Sequence, residues 1–166
     1  TSVFGAKAVQ RHFPPGQTGP ITILLENQRV DFRVKEGRQA IEHLTRALDS
    51  RKQELRIADI RSIADPLGMR ADEDMADLSR PLRMARERVM RERALKHYVS
   101  DMGDLAGHVT RIDVVLEIDP FSAESIDQFD RLRQAVLELM SDELAADSRV
   151  LYIGATASIR DLKTVT

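Results

Sequence analysis

The 166-residue chain has no cysteine and no tryptophan, and aromatic residues make up only 4% of it. Without cysteine there is no disulfide, no thiolate metal site and no thiol nucleophile. The compartment stays open on that ground, because secreted bacterial domains need no disulfides. Scarce aromatics also remove the stacking platform of an RNA-binding sheet, and the stretch from Val109 to Ile118 has none. Basic excess is missing too: 25 basic against 27 acidic side chains leave a net charge of -2. Nucleic-acid domains ordinarily carry a surplus of Lys and Arg, because counterion release drives their binding. No stretch reaches the roughly 18 apolar residues of a membrane span, and no signal peptide is present.

The catalytic signatures are absent as well. There is no G-x-S-x-G elbow, no G-x-x-x-x-G-K-[ST] loop, no G-x-G-x-x-G turn and no H-E-x-x-H helix. Gln17-Thr18-Gly19 and Gly154-Ala155-Thr156 are small-residue turns, too poor in glycine to cradle a phosphate. His12, His43, His97 and His108 lie far apart, and no pair has the spacing that puts two imidazoles on one metal. His97 and His108 could meet only across a turn. Carboxylates abound, yet none is marked by its surroundings for general-acid work. The acidic cluster Asp72, Glu73, Asp74 and Asp77 suggests a cation site or, more simply, negative charge in a first helical turn, where the helix dipole favours it. The residues thus predict a binding or structural domain that is not an enzyme, holds no metal or cofactor, and exposes no catalytic residue.

What is present is an ordinary globular composition, 42% hydrophobic and 31% charged. A chain of this length forms one domain and buries about 70% of its unfolded surface. The charge balance conceals two opposed blocks. Arg80, Arg83, Arg86, Arg88, Arg91, Arg93 and Lys96 face only Glu87 and Glu92, a net of +5. From Asp113 to Asp147 ten acidic residues face Arg131 and Arg133, a net of -8. Such blocks either complement each other, present fields to partners, or serve as solvated helix faces. The chain opens on Thr1-Ser2-Val3 and stops at Lys163-Thr164-Val165-Thr166, which reads as a piece of something longer.

Periodicity supplies the element order. Pro14-Pro15-Gly16 and Gly19-Pro20 mark turns, after which Ile21, Ile23 and Leu25 alternate with Thr22 and Leu24 as a strand. Ala40, Ile41, Leu44, Ala47 and Leu48 trace a helix over about 36–51, with Glu42, Arg46 and Asp49 outside. Leu55 to Ile63 reads as a strand whose phase changes at Ile60, as at a bulge, before Pro66 and Gly68 close it. Between Met69 and Gly107 helix formers replace β-branched residues. Met75, Leu78, Leu82, Ala85 and Val89 form a stripe there, and Pro81 predicts a helix start or a kink. Ordinary helix packing accounts for that stripe, as for Met69, Met84 and Met90, although methionines also make an adaptable binding surface. Ile112, Val114, Leu116 and Ile118 then alternate with Arg111, Asp113 and Glu117. Ser122 is placed to cap a helix whose apolar face, Ile126, Phe129, Leu132, Val136, Leu139 and Met140, runs to about Leu144. Val150 to Ala155 is the last strand. The order β-α-β, helical insertion, β-α-β predicts an α+β fold of the ferredoxin-like, split βαβ (βαββαβ) kind. Its sheet is antiparallel and four-stranded, both crossover helices lie on one face, and the other face is exposed or covered by a partner.

Several phrases, in this order along the chain, resemble the extracytoplasmic loop domain of MMPL-type transporters of the RND (resistance-nodulation-division) superfamily. They are His12-Phe13-Pro14-Pro15-Gly16 with Gly19-Pro20-Ile21-Thr22, Ile63-Ala64-Asp65-Pro66-Leu67-Gly68, Thr110 to Leu116 ending in Asp119-Pro120-Phe121-Ser122, and Gly154-Ala155-Thr156-Ala157 with Asp161. The likeness implies a lead-in over 1–20 from a membrane helix and a porter domain over 21–166 with an insertion at about 69–107. It further implies an inner-membrane exporter, proton-driven, with this domain on the periplasmic side and nearer the second of the family's two loops. Its partners are then the rest of its own chain, membrane helices and second porter domain, with hydrophobic or lipid-like cargo and no nucleic acid. The family's proton-relay residues sit in membrane helices, so no site residue carries over. The contrasting expectation is a free-standing ferredoxin-like module that binds a ligand or dimerises through its open sheet face.

Overall fold

The computed structural model describes residues 19–68 and 80–158. Expectations resting on His12, Pro14-Pro15-Gly16, Gln17-Thr18, Met69, Met75, Leu78, the cluster Asp72 to Asp77 and Asp161 lie outside the described residues. Alternating apolar residues build strand β1 (Ile21–Asn27), whose Ile21, Ile23 and Leu25 are buried. Helix α1 (Lys35–Ser50) follows, within a residue of its predicted bounds, with Ile41, Leu44 and Leu48 sealed on its inner face. Gly37 in its first turn touches the preceding loop, where a Cβ would collide with the Asp31 carbonyl. A one-turn helix α2 (Lys52–Leu55) ends on Arg56 in the left-handed conformation and leads to β2 (Ile57–Arg61). The expected bulge is there, a register shift between Ile57 and Asp59. Leu55, expected in the strand, belongs to the helical turn instead.

Helix α3 (Arg80–Tyr98) has Pro81 one residue into its described part. Strand β3 (Val109–Leu116) then crosses the middle of the sheet. Helix α4 (Ala123–Leu139) is capped as predicted, Ser122 accepting from the Ser125 amide at 3.2 Å. It stops short of the expected Leu144. Met140 turns extended, and Ser141 caps a separate short helix, α5 (Asp142–Ala145), by accepting from the Leu144 amide. Strand β4 (Ser148–Ile153) closes the order, ending two residues earlier than the alternation suggested.

The fold is α+β, with an open sheet ordered β2-β3-β1-β4 in which every neighbouring pair is antiparallel. Strands β1 and β2 flank β3, and β3 and β4 flank β1, so α1 and α4 are both crossover connections. Buried residues of both helices join those of the strands in one core, and an Arg51–Glu138 ion pair at 3.1 Å ties the helices across their outer edge. Phe32, in the loop between β1 and α1, is fully buried with them although no periodicity announces it. Asn27 is buried at the end of β1. Its amide nitrogen donates to Ser148 Oγ (3.0 Å) and the Leu144 carbonyl (3.3 Å), while its oxygen accepts from the amides of Arg29 and Val30. Among the described residues no helix is long and apolar enough to cross a membrane.

Candidate functional site

At the end of the sheet where the chain enters β1 and leaves β4, Thr156 Oγ1 and Ser125 Oγ each donate to the Pro120 carbonyl at 3.0 Å. Pro120 also lies against Gly19, and Gly154 against the Pro20 carbonyl. Three of the phrases singled out in the sequence therefore meet: Gly19-Pro20-Ile21, Asp119 to Ser122 and Gly154 to Ala157. The Thr156 hydroxyl already serves this internal bond, so the Gly154-Ala155-Thr156 turn joins segments of the chain.

The face of the sheet away from α1 and α4 carries a ribbon of charge. Asp113 is buried at 8% exposure, and a buried carboxylate needs strong partners. Thr22, its cross-strand neighbour, donates its hydroxyl at 2.6 Å, and Arg111 Nε lies 2.9 Å from both oxygens. Next to them Arg61 Nε donates to Asp59 at 2.9 Å. Gly68, at φ +80°, sits where a Cβ would run into the Asp59 carboxylate. Tyr98 covers this end, its hydroxyl donating to the Pro66 carbonyl at 3.2 Å. Burial raises its pKa first, and the nearby Asp113 charge adds to the rise. Towards β4 the same face turns apolar, with Leu151 and Ile153 exposed.

Beside Tyr98 runs a groove of about 820 Å³. One bank is α3 with Leu82, Val89 and Met90; the other is the turn after β2, with Pro66 and Leu67. Arg61, Arg86 and Arg93 also line it. Ordinary packing of the α3 stripe fails here: Leu82 is 61% and Val89 49% exposed, and Ala85 and Met84 are exposed as well. Ala94 and Tyr98 in the last turns of the helix and Val99 after it are buried in the core, and Leu95 packs against it. There Val99 bridges to Thr110, whose Oγ1 donates to the Tyr98 carbonyl at 2.9 Å. A second cleft of about 600 Å³ lies on the other side of α3, towards Lys35 and Arg38 of α1.

The histidines are dispersed. His43 and His97 are exposed, and His97 meets the Tyr98 ring edge-on at 4.6 Å. His108 Nδ1 lies 2.9 Å from the Val30 carbonyl and 3.1 Å from that of Asn27, so it ties down the loop after β1. Among the described residues no group of three His, Asp or Glu side chains could hold a metal. Reading the sequence missed the groove, because it arises from non-adjacent segments. The Arg111-x-Asp113 pairing on one strand face was the available signal for the ribbon. Fold and site define an α+β domain with a half-covered sheet and a lateral basic groove. No protein-family model matches the chain, and no curated protein matches it.

Proposed function

We propose that the chain is the extracytoplasmic porter domain of a proton-driven exporter of the RND/MMPL type, with a ferredoxin-like split βαβ fold. The observation that carries this reading is the strand order β2-β3-β1-β4 with both crossover helices packed together. Two interleaved βαβ units produce that order, and they leave one sheet face to bear on a counterpart domain. The meeting of Gly19-Pro20, Pro120 and Thr156 adds support. Phrases that resemble the family lie at one end of the sheet, where a loop anchored at both ends to a membrane would have its two connections. Rigid-body movement against the counterpart would then gate a path for hydrophobic or lipid-like cargo, on the periplasmic side of the inner membrane. The domain itself would perform no chemical step and hold no cofactor.

The test is the parent reading frame and its transport. Apolar runs of about 18 to 25 residues are expected within a few tens of residues of each end. A parent lacking them overturns the reading. In proteoliposomes, cross-linking this domain to its counterpart is expected to stop proton-driven export of a lipid probe; undiminished export contradicts the gating role. Exposed Leu151 and Ile153 favour a second reading, dimerisation through the open sheet face. A dimer that Ile153→Asp abolishes, in a protein without membrane spans, would establish that one instead.

A further inference from the structure

We propose that the β4–α4 edge of the domain is a two-fold interface for a second copy of this chain, in which β4 pairs antiparallel with β4 and α4 lies along α4. This inference stands apart from the porter reading. A sheet edge invites pairing unless the fold blunts it. The β2 edge is blunted: it is five residues long, broken by the register shift between Ile57 and Asp59, and charged by the Arg61–Asp59 ion pair. Strand β4 has no proline, no bulge and a single charge, Arg149, and among the described residues it pairs with β1 alone. Exposed apolar side chains flank that edge on both layers, Leu151 and Ile153 on the open sheet face and Leu137 on α4. A lone peptide strand answers the first two and leaves Leu137 uncovered, so the occupant brings a helix beside its strand.

The residue pattern selects a second copy. On one side of α4, Glu124 and Glu138 pair with Arg56 and Arg51. On the opposite side, towards β4, Ile126, Asp130, Arg133 and Leu137 follow one another at helical spacing, while Asp127 and Gln134 lie further round towards solvent. Set antiparallel against itself, this stripe is self-complementary. With the axis midway between Asp130 and Arg133, each Asp130 meets the second copy's Arg133 and each Ile126 meets the second copy's Leu137. The Asp130–Arg133 pair within each chain, at 3.6 Å, then joins a network of alternating charges. The strand arrives at the same axis independently. Phe129 and Arg133 both reach the Tyr152 ring, at 5.4 and 5.5 Å, so the midpoint between Asp130 and Arg133 stands level with Tyr152. A β4 pair centred there sets Tyr152 opposite Tyr152 and Leu151 opposite Ile153, and Arg149 faces Ala155 rather than its own copy. Opposite residues of an antiparallel pair share a face, so both helix layers stay on one side of a continuous sheet. An isologous pair satisfies both layers with one axis, which an unrelated partner does only by carrying the same pattern.

The experiment follows the full 166-residue chain by sedimentation equilibrium. Over about 1 to 500 μM a reversible dimer is expected, with its midpoint inside that range. Asp130→Arg and Arg133→Asp are each expected to weaken it about tenfold or more, because either change leaves only like charges at the axis. Their equimolar mixture is expected to recover the association as a heterodimer. A gain on mixing cannot come from misfolding. Single cysteines read the register, in a chain that has none of its own. Leu151→Cys mixed with Ile153→Cys is expected to cross-link under mild oxidation at least about fivefold faster than either variant alone. A chain that is monomeric throughout the range, whatever covers its edge, overturns the proposal. So does a dimer indifferent to both reversals, which would assign association to the open sheet face. A mixture that gains nothing over its two components, or cysteines that cross-link as fast alone as together, overturns it as well.

Discussion

Helices α1 and α3 both carry apolar residues at three- and four-residue steps, and the fold treats them oppositely. In α1, Ile41, Leu44 and Leu48 are sealed between the sheet and α4. In α3, Leu82, Ala85 and Val89 stand in solvent, and the helix is held at its end by Ala94 and Tyr98. The flanking chemistry differs in step. Outside α1, Arg46 pairs with Glu42 and Arg51 with Glu54 and Glu138, whereas Arg86, Arg88 and Arg93 on α3 have no such partner among the described residues. A sealed stripe with paired flanks serves folding. An open stripe contributes little to it.

The largest expected effect is at the sealed stripe. Leu44→Ala should lose about 2 to 5 kcal/mol of stability, because a fully buried leucine leaves a cavity that close packing cannot refill. Urea denaturation measures it, and a loss below about 1 kcal/mol would break the comparison from its covered side. Next comes an alkaline effect on the same side. Tyr152 packs edge-on against Phe129 at 5.4 Å under Arg133, and burial pushes its hydroxyl up to about 12. Folding therefore favours the neutral phenol. The stability this contributes, on the order of 2 kcal/mol, is complete below pH 10 and lost as pH rises towards 12. Comparing the native chain with Tyr152→Phe isolates it, and parallel stability curves across that window would contradict it.

A smaller effect lies in the loop beneath α1. Arg33 bonds the Asp31 carboxyl through side chain and backbone and holds it down to about 2. Its contribution is present above about pH 4 and fades as pH falls towards 2; in a solvent-facing pair it stays under about 1 kcal/mol. Asp31→Asn should remove that acid dependence without changing the neutral-pH fold, as circular dichroism would record. The smallest effect belongs to α3. Leu82→Ser and Val89→Ser should each shift stability by no more than about 0.5 kcal/mol. A loss approaching that of Leu44→Ala would show that the stripe is part of the core after all.

How much of this was readable in the sequence follows the same division. Where one residue's surroundings are set by its near neighbours, the pattern sufficed. The alternations of β1 and β3, the α1 stripe, the Ser122 cap and the phase change at Ile60 all appear where expected. It failed where a local bond competes with periodicity. Met140 and Leu144 continue the apolar spacing of α4, yet Ser141 captures the Leu144 amide and starts a new helix. It failed again where burial is decided from afar. Phe32 sits in a loop with nothing periodic around it, and the openness of the α3 stripe depends on which face the helix end at Tyr98 presents to the sheet. The groove joins α3 to Pro66 and Leu67, two segments that no spacing rule connects.

Native-state hydrogen exchange across α1 and α3 tests the contrast most directly. Amides from Leu44 to Leu48 should open only with global unfolding, whereas those from Ala85 to Val89 should exchange through local opening at lower free energy. Equal protection of the two helices would contradict the account.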